Sequence, residues 1–303
     1  MNSDINYLNR LPVLFVPHGA PTFALDPGEA GAALAGFARE IVRPKAVLVI
    51  SAHWDTELPT FSAACRPETI HDFYGFPQQL YAIRYPVCGA VAWAMEARTL
   101  LEEAGFAVVL DPQRGLDHGA WVPLRIMYPD ASVPVVAMSV QSRLGPRHHY
   151  RLGQALAPLR DAGVLIVASG NLTHNLGHLG AGRSGDSTAL AYVPAFQQWW
   201  RQRIEAGDIE SLLDYRAQAP GAVEAHPTEE HLLPFFVALG AGGEKFSAEL
   251  VYSGIEYGML VMDSYAFWPE AHALRNPAGG PGMTGRNAVR IEGNFNDPDT
   301  QSK

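Results

Sequence analysis

Val164-Leu-Ile-Val-Ala-Ser-Gly-Asn-Leu-Thr-His174 opens with five consecutive apolar residues, passes through Ser169-Gly170 and reaches a histidine four residues later. An apolar run without polar alternation is the mark of a strand buried on both faces. Working outward, the same pattern recurs at Pro12 to Val16, Ala46 to Ile50, Phe106 to Leu110 and Val133 to Val140. Between these runs, Ala30 to Ile41, Ala90 to Ala104, His148 to Ala162 and Thr188 to Glu205 carry apolar residues at three- and four-residue spacing, the period of an amphipathic helix. A helix over Glu229 to Leu239 and strands at Ala248 to Tyr252 and Gly258 to Ser264 complete the reading. Alternation of this kind predicts an α/β fold: a single domain with a central mixed, mostly parallel sheet flanked by helices. The domain is expected to span residues 1–267. From 268 to 303 the periodic apolar face is lost, as in Asn276-Pro-Ala-Gly-Gly-Pro-Gly, so an extended or mobile C-terminal tail is expected there.

Composition narrows the partners. The chain has 303 residues, 22 Lys+Arg against 31 Asp+Glu and a net charge of −9, with Lys45, Lys245 and Lys303 as its three lysines. That balance argues against nucleic acid, whose binders concentrate basic side chains on one face. No stretch approaches the 18 or so uninterrupted apolar residues of a membrane span, and no basic leader precedes an apolar segment, so no membrane partner and a cytoplasmic location are expected. Cys65 and Cys88, far apart in sequence, make neither a disulfide framework nor a CxxC metal site. The apolar, aromatic segment Tyr192 to Trp200 is a candidate helix at a homo-oligomer interface.

Histidine is the informative residue, at 11 of 303. His18, His53 and His174 each follow a buried run by a few residues, among glycine and small side chains. In open α/β sheets ligands bind at the carboxyl ends of the strands, so the three are expected in one crevice. Imidazole serves Zn, Fe, Cu and Ni alike, and such a site is completed by another histidine or a carboxylate. His226-Pro-Thr-Glu-Glu-His231 offers that fourth position, through one of its two histidines or through Glu229 or Glu230. His118, in Leu116-Asp-His-Gly-Ala-Trp121, is read as a turn residue acting as ligand or general base. His148, His149, His178 and His272 read as structural or surface residues. Dinucleotide, P-loop and nucleophile-elbow motifs are missing from the sequence.

Pro17-His-Gly-Ala-Pro21, Ser51-Ala-His-Trp54, Thr69-Ile-His-Asp-Phe-Tyr-Gly-Phe-Pro77, Leu116-Asp-His-Gly-Ala-Trp121, Ala168-Ser-Gly-Asn-Leu-Thr-His-Asn175 and His226-Pro-Thr-Glu-Glu-His231 occur in this order. Together they resemble the class III extradiol ring-cleavage dioxygenases of the DOPA-dioxygenase-like branch, from about residue 12 to residue 265. The resemblance implies a mononuclear non-haem Fe(II) enzyme that opens a catechol ring with O₂. It implies His18, His53 and His231 as metal ligands, His174 as ligand or acid/base, and His118 as a second catalytic histidine beside the substrate. Trp54, His71, Phe73, Tyr74 and Trp121 are expected to wall an aromatic substrate, with Phe76 beside them. Arg66, Arg84 and Arg183 are candidates for a charged group on it. Two alternatives share the scaffold: a Zn(II) hydrolase-type enzyme, since all-histidine sites suit zinc, and a non-catalytic metal-binding protein.

Overall fold

The computed structural model describes residues 11–178, 190–269 and, as backbone, 288–289. Its strands are β1 Val13–Pro17, β2 Ala46–Asp55, β3 Thr60–Ser62, β4 Val109–Asp111, β5 Val135–Val140, β6 Val164–Gly170, β7 Phe246–Tyr252, β8 Ile255–Glu256, β9 Leu260–Val261, β10 Ser264–Pro269 and β11 Ala288–Val289. The helices are α1 Gly28–Glu40, α2 Gln78–Ala82, α3 Val91–Glu103, α4 His118–Met127, α5 Gly145–Leu156, α6 Pro158–Asp161, α7 Tyr192–Ala206, α8 Ile209–Leu213, α9 Tyr215–Gln218, α10 Ala222–Ala225 and α11 Leu233–Gly242. One mixed sheet runs in the order β11-β7-β10-β1-β6-β2-β5-β3-β4, while β8 and β9 form a separate antiparallel pair.

The four central strands, β1, β6, β2 and β5, are parallel to one another, while β10 and β3 flank them antiparallel. Their side chains divide between two cores. Phe15, Leu48, Ile50 and Ile166 face a layer built on α3, α5, α7 and α11. Leu14, Val47, Val49 and Val167 face α1 and α4. Both faces are dry, which explains the unbroken apolar runs. Register does the positioning: Pro17 lies opposite Gly170, and Ser51 opposite Ser169. The carboxyl ends of β1 and β6 therefore finish level and β2 runs past them to Asp55, which sets His53 of β2 beside His18.

Several boundaries differ from the sequence reading for local reasons. Pro158 cannot donate to the preceding turn, so the helix expected over His148 to Ala162 divides into α5 and α6. Pro234 belongs in a first turn, so the last helix starts at Leu233, and His231 sits on the turn before it. Phe106 N–H still bonds Leu101 O at 2.9 Å, closing α3 and delaying β4 to Val109. The strand expected at Gly258 to Ser264 is instead β9 followed by β10, which runs through Trp268 and Pro269. Ala288 and Val289 pair with β7. The remainder of the segment expected as a tail, including His272, lies outside the described residues. On α7, Phe196 and Trp200 are fully buried, stacked with ring centroids 5.4 Å apart. Part of the segment read as a subunit contact is thus packed in the chain's own core, while Tyr192 and Trp199 are only partly buried. No helix among the described residues is long and apolar enough to cross a membrane.

His149 shows what a purely structural histidine does here. Its Nε2 accepts from Gln141 N–H at 3.1 Å, and its Nδ1 donates to Gly145 O at 2.7 Å, so the neutral tautomer is fixed. Burial brings its pKa down to about 3. The unfolded chain, with an ordinary histidine near 6.5, binds the extra proton first. Stability is therefore full above pH 6.5 and falls as pH drops toward 3, by up to about 1.4 kcal/mol per pH unit from this residue. His149→Gln should flatten the decline of the urea midpoint between pH 6 and 4; an unchanged slope would show that His149 is not a source of the acid sensitivity.

Candidate active site

Three imidazoles from distant parts of the chain meet at the carboxyl edge of the sheet. His18 follows β1, His53 lies near the end of β2 where its pairing with β5 slips, and His231 occupies the turn before α11. His53 Nε2 is 3.1 Å from His18 Nε2 and 3.2 Å from His231 Nε2. The Nδ1 atoms point outward, each to an acceptor. His18 Nδ1 donates to Ser169 Oγ at 3.2 Å, His53 Nδ1 lies 3.3 Å from Asp72 Oδ2, and His231 Nδ1 lies 3.2 Å from Glu230 Oε1.

These partners decide the chemistry. A neutral imidazole has one N–H; at His18 and His231 Nδ1 is hydrogen-bonded to an acceptor and at His53 it lies at ion-pair distance from a carboxylate, which favours the proton at Nδ1 and leaves Nε2 as a bare lone pair. Three such lone pairs facing one another repel, and a cation among them turns that repulsion into coordination. Protonation is no alternative: burial, then the neighbouring histidines, hold His18 and His231 well below the ordinary histidine pKa. His53 falls to about 3, chiefly through burial and next through His118. The donor set fits a metal ion, and outward carboxylate or hydroxyl partners are the usual way such ligands are oriented.

Ser169 is held in turn by a backbone irregularity. Pro123 stands inside α4 and has no N–H for the carbonyl four residues earlier, Gly119 O. That carbonyl instead accepts the Ser169 hydroxyl, whose oxygen is thereby left to accept from His18. Helix α4 was not expected from the sequence, because Pro123 interrupts its pattern. It makes His118 the first residue of a helix and not a turn residue. Asp117 caps the helix, accepting from Ala120 N–H at 3.1 Å. Burial pushes the Asp117 carboxyl up, while the Ser51 hydroxyl and the Arg114 guanidinium, 2.6 Å away, favour its charged form.

Glycine is required where α4 approaches β2. A Cβ on Gly119 would stand 2.5 Å from Ser51 Oγ and 3.0 Å from His53 Cδ2, and one on Gly170 would stand 2.2 Å from His231 O. Gly119→Ala should therefore displace His53 and weaken Zn(II) binding by roughly tenfold, the lower end of what misoriented ligands cost. Chelator competition measures this, and wild-type affinity would show that His53 tolerates the shift.

The remaining candidates divide. His174 stacks on His231, with ring centroids 3.4 Å apart and planes 7° from parallel, so it lies against a face of the trio and is grouped with Glu230 and His231. Burial, then His53, lowers its pKa to about 4. His118 is buried, its ring 4.0 Å from that of His53. Phe73 sets its edge against His118 at 5.6 Å, and His71 packs on Phe73 at 5.7 Å while its Nε2 donates to Ile83 O at 3.1 Å. Trp121 lies behind them, fully buried, its indole N–H bonded to Ile70 O at 2.9 Å. Trp54 is buried beneath Arg114, whose guanidinium sits 4.8 Å from its ring. Tyr74 is 92% exposed and is not brought to the cluster.

Glu229 turns away to accept from the Tyr215 hydroxyl, and His226 is buried with Nε2 donating to Leu172 O. Arg84 bonds the carbonyls of Tyr81 and Ile83, while Arg183 lies outside the described residues. Sequence reasoning missed Ser169, Asp72 and Pro123 as site residues, although Asp72 stands beside His71 in a quoted motif. Burial holds a carboxyl up in general, but hydrogen bonding and charge from His118 bring Asp72 down to about 2, so it is a carboxylate at neutral pH.

Comparison with known proteins agrees with this geometry. Residues 14–267 match the family described as the catalytic LigB subunit of aromatic ring-opening dioxygenase. A 4,5-DOPA dioxygenase extradiol of Beta vulgaris is 43% identical over 263 residues, covering 86% of this chain and 97% of that protein. The protein of the same name from Escherichia coli K12 is 37% identical over 260 residues, covering 84% and 93%. The crystal structure of uncharacterized protein JW3007 from Escherichia coli K12 superposes with a TM-score of 0.72 at 32% identity, covering 85% of this chain and 99% of that one. With a family match over most of its length and a histidine cluster suited to a metal, the chain belongs to the LigB family, the metal-dependent extradiol ring-cleaving dioxygenases.

Proposed function

We propose that this enzyme cleaves a catechol beside its two hydroxyls, using Fe(II) held by Nε2 of His18, His53 and His231. The observation that carries the reading is the trio of facing Nε2 lone pairs 3.1–3.2 Å apart, each with its Nδ1 turned to an acceptor. When bound, the metal supplies Lewis acidity toward the catechol oxygens and a redox partner for O₂. His174, neutral at pH 7 because of its burial, takes the proton that a catechol hydroxyl gives up on binding. His118, held by Asp72, hydrogen-bonds a substrate oxygen. Phe73 and His71 form the aromatic wall on the His118 side. The names of the relatives support a DOPA-like catechol with a short side chain.

Zn(II) fits the same donors but has no redox chemistry, so it separates metal binding from turnover. Metal-free protein reconstituted anaerobically with Fe(II) should consume O₂ when air and a catechol are admitted, and give a yellow ring-opened product. The Zn(II) form should bind catechol and consume none. Absence of O₂ uptake with every catechol tested, at full Fe(II) occupancy, would refute the reaction.

A further inference from the structure

We infer that Asp72 is a positioning residue that fixes two imidazoles at once, the His53 ligand and the His118 side chain, so that one carboxylate sets both tautomers. The inference rests on the reading of His53 as a metal ligand given above. Asp72 lies on the loop between β3 and α2, away from β2 and α4 in sequence, yet it reaches both. Its Oδ1 accepts from the backbone N–H of His118 at 2.9 Å, at the start of α4. Its Oδ2 lies 3.0 Å from His118 Nδ1 and 3.3 Å from His53 Nδ1. The two rings it bridges are in contact, with centroids 4.0 Å apart. The His118 side chain is buried and the Asp72 side chain is about one-fifth exposed, at 22%, so the loop closes over the pair without sealing it.

A carboxylate meets this arrangement because both oxygens only accept. An amide of the same shape does not. With its oxygen toward the His118 backbone, Asn would aim NH₂ at both Nδ1 atoms, and each ring would have to move its proton to Nε2. For His53 that removes the lone pair facing His18 and His231. With the amide flipped, two donors meet at the first turn of α4 and the helix start loses its acceptor. Either way the cost falls on His53 and His118 together, although no atom of Asp72 faces the centre of the trio. The same carboxylate also registers β2 against α4, since it accepts from the His118 backbone N–H and lies within ion-pair distance of the Nδ1 atoms of both His118 and His53. A loop motif is thereby tied to metal affinity.

Asp72→Asn, Asp72→Glu and Asp72→Ala test this by two readouts that need no turnover. Zn(II) affinity is measured against a chromophoric chelator, and the ring tautomers of the metal-free proteins by long-range ¹H–¹⁵N NMR. Asp72→Asn should weaken Zn(II) by 10–100-fold and shift His53 from Nδ1–H to Nε2–H, as expected when an outer partner of a ligand is lost. Asp72→Glu, which keeps the carboxylate, should recover most of the affinity, while Asp72→Ala should not. Thermal unfolding by circular dichroism confirms that each variant folds. Affinity within twofold of wild type in Asp72→Asn, an unchanged His53 tautomer, or a Glu variant no better than Ala would overturn the inference. Wild-type protein that binds Zn(II) with both Nδ1–H tautomers but cleaves no catechol would instead refute the proposed reaction and leave the positioning role standing.

Discussion

His174→Gln is expected to lower kcat for catechol cleavage by 10²–10⁴-fold while leaving metal affinity within a few-fold of wild type. The magnitude is that of a general acid–base group lost from a positioned site. The separation of the two readouts follows from geometry. The Nε2 atoms of His18, His53 and His231 face one another, whereas the His174 ring lies flat on His231 at 3.4 Å. A stacked ring presents its face to its neighbour and leaves its nitrogens at the edge, and among the described residues none of them is hydrogen-bonded to a side chain or carbonyl. Glutamine keeps polarity and approximate reach but cannot take up a proton near neutral pH. Fe(II) titration and O₂ uptake on the same preparation decide the matter. Metal loss in proportion to lost turnover would make His174 a ligand, and unchanged kcat would remove it from the proton transfer.

Asp263→Ala is expected to destabilise the fold by about 3–5 kcal/mol, the usual effect of breaking a buried ion pair from one side. Asp263 is fully buried just before β10. It accepts from Arg201 Nε at 2.9 Å and Nη2 at 3.0 Å, from Gln197 Nε2 at 2.7 Å and from the Tyr265 hydroxyl at 3.2 Å. The carboxylate thus ties α7 to the antiparallel edge of the sheet with three bonds and accepts a fourth from Tyr265 of β10. Alanine leaves the Gln197 amide and the Tyr265 hydroxyl unpaired in the interior and leaves the Arg201 guanidinium with Ser253 and water. Removing Arg201 costs at least as much, because it leaves a fully buried carboxylate without its countercharge, whereas the Arg201 side chain is 31% exposed and water can reach it once Asp263 is gone. Urea unfolding of both variants measures the asymmetry. Equal small losses, under about 1 kcal/mol, would show that the network contributes little.

The buried strands were legible because a strand covered on both faces must be apolar at every position, as at Val164 to Ala168 and Ala46 to Ile50. The amphipathic helices α1, α3 and α7 were legible for the matching reason, one dry face each. Helix α4 was not. Pro123 and the surrounding apolar residues, nearly all buried, hide its period. His118 consequently read as a turn residue when it opens a helix. The division of α5 from α6 and the late start of α11 were written in Pro158 and Pro234, whose missing N–H outweighs the apolar periodicity around them.

By itself the sequence determined the α/β class, the parallel centre of the sheet and the placement of His18 and His174 just beyond strand ends, because these depend on runs of neighbouring residues; His53, expected beyond its strand, lies within β2, which runs on to Asp55. Tertiary structure alone decided which nitrogen of each histidine faces the centre. That choice rests on contacts between residues far apart in the chain: His18 Nδ1 to Ser169 across 151 positions, and His53 Nδ1 to Asp72 on a separate loop, 3.3 Å away. It also rests on a carbonyl that Pro123 leaves free for Ser169. A ligand's identity is local, but its tautomer is set by whatever the fold brings to its other side.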